Sequence, residues 1–322
     1  MVSTGVVVIG RNEGERLNQC LASVLRVACP VVYADSQSTD GSVGVAQSLG
    51  VTVVQLDPAR PMNAARGRKA GFERLLQMYP TLQRVLFLDG DCELDADFLP
   101  AAQAAMLARP EVAVVCGRRR ERHPQASVYN RMADLEWNTP VGECESCGGD
   151  ALFSVRAYVQ AGGFDDTVLA GEEPELCRRI RRQGFKVLRI DVAMSWHDMN
   201  MHQLSQWWRR GVRTGYGALD VRRRHGVQDF DRLLVSAWVW VLAWPLVSMA
   251  LVAGVAFSAG SAAAGWLALF AASLLPLQLL RVARTGRQRG LALPDALAYG
   301  ALMMVNKWSC AWGQLKWLLE KR

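Results

Sequence analysis

Leu86-Phe87-Leu88-Asp89-Gly90-Asp91 decides the reading of this chain. An apolar run typical of a buried strand ends in two carboxylates one residue apart. In an open α/β sheet, ligands sit at the carboxyl ends of the strands. Two hard oxygen donors at such an end suit a divalent cation, and a divalent cation suits a diphosphate. Asp-Gly-Asp is also ordinary turn chemistry, so the neighbouring segments have to decide.

Upstream, strand-like and helix-like patterns alternate. Val6–Ile9 reads as a strand, and 15–26 as a helix with Leu17, Cys20, Leu21, Val24 and Leu25 on one face. Residues 31–34 read as a strand, 42–49 as a helix, 51–55 as a strand, 62–78 as a helix and 85–88 as the fourth strand. Repeated β-α units predict a parallel, doubly wound sheet. Beyond Asp91 the rhythm breaks into a helix over 98–108, a strand over 112–116, a basic stretch and a Gly-rich loop. Polar residues follow three strands: Gly10-Arg11-Asn12-Glu13, then Asp35 through Ser42, then Asp89-Gly90-Asp91. Three polar constellations at one sheet edge favour a site over a surface turn.

The chain has 322 residues, 51% of them apolar, and a net charge of +7. That length exceeds one α/β domain. A basic surface suits nucleic acid, anionic lipid or a phosphorylated substrate, and the placement of charge chooses among them. From Leu233 through Leu280 there is no Asp, Glu, Lys or Arg, enough for roughly two spans of about 20 residues. A nucleic-acid-binding domain would not carry such a run. Spans are expected over 233–257 and 262–280, joined by a turn at Ser258-Ala259-Gly260-Ser261. Arg222, Arg223, Arg224 and Arg232 precede them, and Arg281, Arg284, Arg287 and Arg289 follow. The positive-inside rule then puts both flanks in the cytoplasm. Residues 294–319 read as an amphipathic helix lying on the membrane, with Asn306, Lys307, Gln314 and Lys316 interrupting its apolar positions. Met1 leads straight into a strand without a secretory signal. Residues 1–230 are therefore expected to form a cytoplasmic catalytic domain and 231–322 a membrane domain at the cytoplasmic (inner) membrane. Eight scattered cysteines fit a reducing compartment. Cys144-x-x-Cys147 is the only close pair, and no second pair or His cluster completes a zinc site in the sequence.

Several segments taken together resemble the inverting family-2 glycosyltransferases of GT-A fold, over about Val6 to Gly217. VVVIGRNEGERLNQCLASVL is similar to the family's strand, Asn-Glu turn and helix, with Gly10-Arg11 where Pro and an aromatic residue are common. VVYADSQSTDGS, ARPMNAARGRKAGF and FLDGDCEL resemble its Asp-x-x-Ser-x-Asp-Gly, Arg-bearing and Asp-x-Asp segments. The resemblance implies a GT-A-type, mostly parallel sheet with flanking helices, followed by the membrane hairpin. It implies donor contacts from Ile9, Arg11, Glu13, Asp35, Arg66, Asp89 and Gly90, with Asp35 at the nucleobase edge. It implies Mg²⁺ or Mn²⁺ held by Asp89, Asp91 and His197. GGDALFSVRAYVQAGGFDDTVLAGEEPELCRRIRRQGFKV resembles the acceptor-side loop and the acidic pair that opens a helix. An inverting transfer needs one general base for the acceptor hydroxyl; the resemblance gives that role to Glu173, supported by Glu172. Gly149, Asp150, Gln206 and Arg209 are expected on the acceptor side. Gln206-Trp207-Trp208-Arg209-Arg210 is similar to the Gln-x-x-Arg-Trp element of processive members, with Arg210 in place of Trp. Arg118-Arg119-Arg120 with Arg122 reads as a solvated face or an acceptor-phosphate patch.

The expected partners are a nucleotide-sugar donor, a lipid-linked or saccharide acceptor and the membrane, with no nucleic acid. A nucleotidyltransferase shares the acidic α/β plan, but no Gly-rich, Lys-containing phosphate loop follows the first strand. An inactive GT-A module serving as a membrane scaffold would have no need of the acidic pair.

Overall fold

The computed structural model describes residues 3–226, 231–259 and 261–320. Met1, Phe230 at the expected domain boundary and Gly260 in the expected turn lie outside the described residues. Two compact units result. One runs up to Ala126 and resumes over Ala133–Asn200; the other combines Ser127–Met132 with the chain from Met201 onward.

The first unit begins as the apolar spacing predicts. Strand β1 (Thr4–Gly10) is followed by helix α1 (Glu15–Leu25), which buries Leu17, Cys20, Leu21 and Val24. Strand β2 (Val31–Asp35), helix α2 (Ser42–Ser48), strand β3 (Thr52–Gln55), helix α3 (Ala64–Met78) and strand β4 (Arg84–Asp89) complete the alternating half. A short β5 (Cys92–Leu94) precedes helix α4 (Phe98–Ala108) and strand β6 (Val112–Glu121). Helix α5 (Val128–Trp137), strands β7 (Gly142–Cys144) and β8 (Ala151–Ser154), helices α6 (Val155–Gln160) and α7 (Glu172–Arg182) and strand β9 (Lys186–His197) follow.

Among the described residues the strands form one sheet of order β3-β2-β1-β4-β8-β6-β9-β5, with β7 pairing β9. The β3-β2-β1-β4 half is parallel, as is the β6–β9 pair; β8 joins the two parts antiparallel to both β4 and β6. From β1 the chain moves outward through β2 and β3, then returns to β4 on the other side of β1. That reversal makes a topological switch point, and a crevice opens at the carboxyl ends of the strands there. Registers fix what lines it: Ile9 lies opposite Asp89, and Gly10 opposite Asp35.

One strand outruns its expected end. β6 continues through Arg118-Arg119-Arg120 because it pairs with β9 across three register shifts. Such irregularities bend a strand and re-aim its side chains. The arginine run is therefore strand, not a solvated stretch.

In the second unit, helix α8 (Leu204–His225) packs against helix α12 (Leu293–Glu320) through small residues. A Cβ at Gly215 would overlap the Cys310 backbone, one at Gly313 the Val212 carbonyl, and one at Gly211 the Ser309 side chain. This packing places 201–225 with the C-terminal helices, whereas composition set its boundary near 230. Helix α9 (Asp231–Trp238) passes through a π-helical turn, Val239–Ala243, into α10 (Trp244–Ala259). The wide turn directly precedes Pro245, which has no N–H to give the carbonyl four residues back. Helix α11 (Ser261–Gln288) completes the unit. By length and composition, Arg232–Ala259 and Ser261–Gln288 could each cross a membrane.

Helix α12 departs from the in-plane reading. Its polar Gln314 is buried and accepts a hydrogen bond of 2.9 Å from the Trp238 indole, while Trp308, Trp312 and Leu319 are exposed. Gln314 and small residues such as Ser309, Ala311 and Gly313 face protein together with Leu302, while large apolar side chains lie exposed on the same helix.

Candidate functional site

Asp89 ends β4 between two arginines. Arg68 Nη2 lies 2.6 Å from its Oδ1 and Arg119 Nη2 3.3 Å from its Oδ2. The Asp89 backbone N–H donates to Asp150 Oδ1 at 3.0 Å. Asp150, fully buried, also takes Arg119 at 2.8 Å and the Ser195 hydroxyl at 2.7 Å. It was expected to face an acceptor; instead it supports the Asp89 turn from beneath, since no part of it reaches solvent. Gly90 closes the turn through a 2.7 Å hydrogen bond from its N–H to the Ile9 carbonyl. A Cβ there would stand 3.0 Å from that same carbonyl, so any larger residue would push β4 and β1 apart by a few tenths of an ångström at this turn. Gly149 has φ +104 and passes over the ion-pair cluster, where a Cβ would meet Arg119 Nη2 at 3.2 Å and Asp89 Oδ2 at 3.6 Å.

Arg68 also reaches Glu172 Oε1 at 2.6 Å. Its side chain is 3% exposed, so this buried guanidinium joins the strand end to the first residue of α7. Arg66, two positions earlier on α3, points elsewhere. Its Nη1 donates to the carbonyls of Asp57 and Arg60, both at 2.9 Å, and so holds the 57–61 loop. Residues two apart on a helix face different sides, which is why the Arg expected near the donor is structural and its neighbour occupies the site.

Asp91, beyond the turn, pairs with His197 Nε2 at 3.2 Å. Burial pushes the Asp91 carboxyl up, but the hydrogen bond and charge of His197, with Arg119 and Arg16 beyond, hold it down to about 2. Burial depresses His197, yet its contacts with Asp91 and Glu121 outweigh that and raise it to about 9. In this state the imidazolium supplies the positive charge that balances Asp91. Asp91, Cys92 and His197 converge closely enough to share one ion. Glu121 Oε2 lies 3.9 Å from the other ring nitrogen, Nδ1, a carboxylate placed to orient a ligating histidine. The set therefore fits a divalent cation on Asp91 and His197, with proton release from the ring. Asp89, expected as a further ligand, has both oxygens engaged by arginine.

The remaining expected residues frame the crevice. Asp35 is fully buried; Tyr33 Oη donates to its Oδ1 and the Ser38 N–H to its Oδ2, each at 2.9 Å. It braces the β2 loop rather than presenting a free acceptor edge. Asn12 ties this loop to the β1 loop, accepting the Thr39 N–H at 2.7 Å and donating its own N–H to Ser38 Oγ at 2.9 Å. Arg11 is exposed, and Glu13 pairs with Arg16 at 2.8 Å. Burial, then the nearby Asp91 charge, raise the Glu13 carboxyl above the usual range. Glu173 is 5% exposed and turned away from Asp89, with its Oε1 accepting from the Cys147 N–H and the Cys177 thiol. Glu172 is the member of the acidic pair linked to the site. Gln206 caps the start of α8 by accepting the Gln203 N–H at 2.9 Å, and Arg209 is exposed on the same helix, both in the second unit.

Arg68 and Arg119 are the residues that sequence reasoning missed. Arg68 lay inside a segment singled out for Arg66, and Arg119 inside a run read as a solvated face or an acceptor-phosphate patch rather than as a partner of Asp89.

Comparison with known proteins agrees with this geometry. Residues 5–143 match the family described as glycosyl transferase family 2. No curated protein sequence matches. Among solved structures, the mannosyltransferase PcManGT from Pyrobaculum calidifontis, in complex with GDP-Man and Mn²⁺, is similar at TM-score 0.62 and 18% identity, covering 99% of this chain and 88% of that one. A mycobacterial protein is similar at TM-score 0.50 and 18% identity, covering 70% of this chain and 76% of that one. The likeness is one of fold, and the first extends it through the C-terminal helices. With its β1–β4 switch point and the family match running through all three polar strand ends, the chain carries a glycosyl transferase family 2 domain over residues 5–143, has a GT-A fold and is a glycosyltransferase.

Proposed function

We propose that this chain is an inverting, metal-dependent glycosyltransferase that passes a sugar from a nucleoside-diphosphate sugar to a lipid-linked acceptor at the cytoplasmic face of a membrane. The observation that carries the reading is Asp91 paired with a buried His197 beside the arginine-clamped Asp89, at the carboxyl ends of β4 and β9. Asp91 and His197 hold Mg²⁺ or Mn²⁺; when bound, the cation neutralises charge developing on the leaving diphosphate. Support comes from PcManGT, which is similar in fold and was solved with GDP-Man and Mn²⁺.

Arg68 and Arg119 stand where diphosphate oxygens arrive, and guanidinium groups recognise such oxygens through two parallel N–H bonds. Ile9, Gly90 and the laced β1 and β2 loops form the rim on the nucleotide side. Glu172 acts as the general base, taking the proton of the acceptor hydroxyl at Oε1 or Oε2 as that hydroxyl attacks the anomeric carbon opposite the diphosphate. Its place on the Arg68–Asp89 link favours it over Glu173, which is turned into a cluster of thiols. The two long apolar helices confine the active site near a membrane-borne acceptor and raise its effective concentration.

The test uses the full chain in detergent or vesicles, with UDP-, GDP- and dTDP-sugars, Mg²⁺ or Mn²⁺, and a membrane lipid extract. Release of nucleoside diphosphate that depends on both the cation and the lipid is the expected result. Glu172→Gln should keep donor binding and lose transfer. If no nucleotide sugar is consumed under any of these conditions, the proposal fails; if Glu173→Gln abolishes transfer and Glu172→Gln does not, the base is Glu173.

A further inference from the structure

Below the Gly149 loop the fold assembles cysteines that the sequence keeps apart. Cys147 and Cys177 bring their sulfurs within 3.7 Å, and the Cys177 thiol stands 3.1 Å from Glu173 Oε1. The Cys147 N–H donates to the same oxygen. One donor atom from each of Cys147, Glu173 and Cys177 falls within 4.8 Å of the others, and all three residues are buried. Cys144, at the other end of the Cys-x-x-Cys segment, sits in β7 and hydrogen-bonds the thiol of Cys116 from β6. The fold thus gives each cysteine of that segment its own partner, Cys116 for Cys144 and Cys177 for Cys147.

The carboxylate at the centre is the informative group. Glu173 is buried, and among the described residues no Lys, Arg or His side chain pairs with it; its partners are one amide and one thiol. A buried carboxylate is costly unless it is paired or coordinates a metal. One amide and one thiol are poor compensation. Sulfur ligands with a single carboxylate select a soft or borderline ion over Mg²⁺.

We propose that Cys147, Cys177 and Glu173 bind a thiophilic divalent cation of the Zn²⁺ class, distinct from the Asp91–His197 position. Each thiol gives its proton to solvent as its sulfur takes up the ion. The site ties the 144–149 loop to the first two turns of α7. It thereby holds Gly149 over Asp89 and sets Glu172 at the mouth of the crevice. Its role is positioning rather than chemistry, and it stands whatever sugar or acceptor the enzyme uses.

The test is metal binding by the full chain in detergent, with excess Mg²⁺ present to fill hard-ligand positions. A single equivalent of Zn²⁺ should survive dialysis. Co²⁺ should give thiolate-to-metal charge-transfer absorption that saturates at the same stoichiometry. Cys147→Ser and Cys177→Ser should each weaken Co²⁺ binding by at least about tenfold, while Cys29→Ser, outside the cluster, leaves it unchanged. On the unmodified chain, which needs no variant to fold, Zn²⁺ should slow alkylation of the native-state thiols. A Co²⁺ spectrum without charge-transfer bands, equal binding by Cys177→Ser, or thiol reactivity indifferent to Zn²⁺ would each overturn the proposal. So would a preparation in which diamide links Cys147 to Cys177 although the reduced chain takes up no Co²⁺, because the pair is then a redox couple.

Discussion

Arg68 is the residue on which most of the candidate site turns. Its guanidinium is almost wholly buried, and each of its two terminal nitrogens meets a different carboxylate at 2.6 Å. Removing one partner of a buried pair leaves the others uncompensated, at a cost of about 3 to 5 kcal/mol. Arg68→Ala is therefore expected to lower unfolding stability by about that amount in urea titrations and to weaken donor binding measured by calorimetry. Arg68→Lys should recover only part of the binding, because a point charge cannot serve two carboxylates through a planar fork. At Asp91 the expectation is more selective. Asp91→Asn should reduce Mn²⁺ affinity, read by isothermal titration, while the far-ultraviolet circular dichroism stays unchanged. The same scale shows where sequence stopped being legible. Asp89-Gly90-Asp91 could be singled out because strand ends and residue chemistry are visible in one dimension; His197 was reached only through the family resemblance. Which of Arg66 and Arg68 faces the crevice depends on the rotation of α3 about its axis, and the clamp on Asp89 depends on where Arg119 arrives from β6. Neither is written locally.

At the scale of elements, the alternating half of the sheet was readable almost strand for strand, because periodicity and turn residues coincide from β1 to β4. The other half was not. β8 is short, and β6 carries three consecutive arginines into the sheet through bulges that no hydropathy pattern announces. The 144–150 loop earns its conformation through glycine: Gly149→Ala puts a side chain on a backbone at φ +104, close to Arg119. Strain of that kind costs about 1 to 3 kcal/mol. The variant should show a lower thermal midpoint and a raised KM for donor, and a donor KM unchanged from that of the parent would contradict the placement of this loop over Asp89. A second expectation concerns α8 and α12, whose backbones approach through Gly211, Gly215 and Gly313. Gly215→Leu should force the helices apart and lower thermal stability in detergent, whereas Leu at the exposed Gly254 position should leave it within error.

Across the whole molecule, the two units differ in the solvent they suit. The first buries a continuous apolar core around one mixed sheet. In the second, two helical segments of 28 residues leave most of their apolar surface uncovered. At 1.5 Å per residue each is about 42 Å long, more than the roughly 30 Å of a hydrocarbon core. The chain is expected to sediment with membranes and to be released by detergent but not by high salt or carbonate. The charge-free run made the two long apolar helices legible; the packing of 201–225 with α12 was not, because glycines three or four apart look like ordinary helix composition until a partner helix is known.

The link through Arg68 carries a further consequence for the order of events. One guanidinium holds both Asp89, on the side proposed for the donor, and Glu172, the proposed base on the acceptor side. A phosphate that draws Arg68 toward itself must loosen its hold on Glu172, so occupancy of one half of the crevice is felt in the other. Such coupling is reciprocal in free energy. The enzyme should show an ordered sequence, donor first, with a dead-end acceptor analogue competitive against the acceptor and uncompetitive against the nucleotide sugar. Cutting the link with Arg68→Met should make the two substrates bind independently, turning one latch into two separate doors.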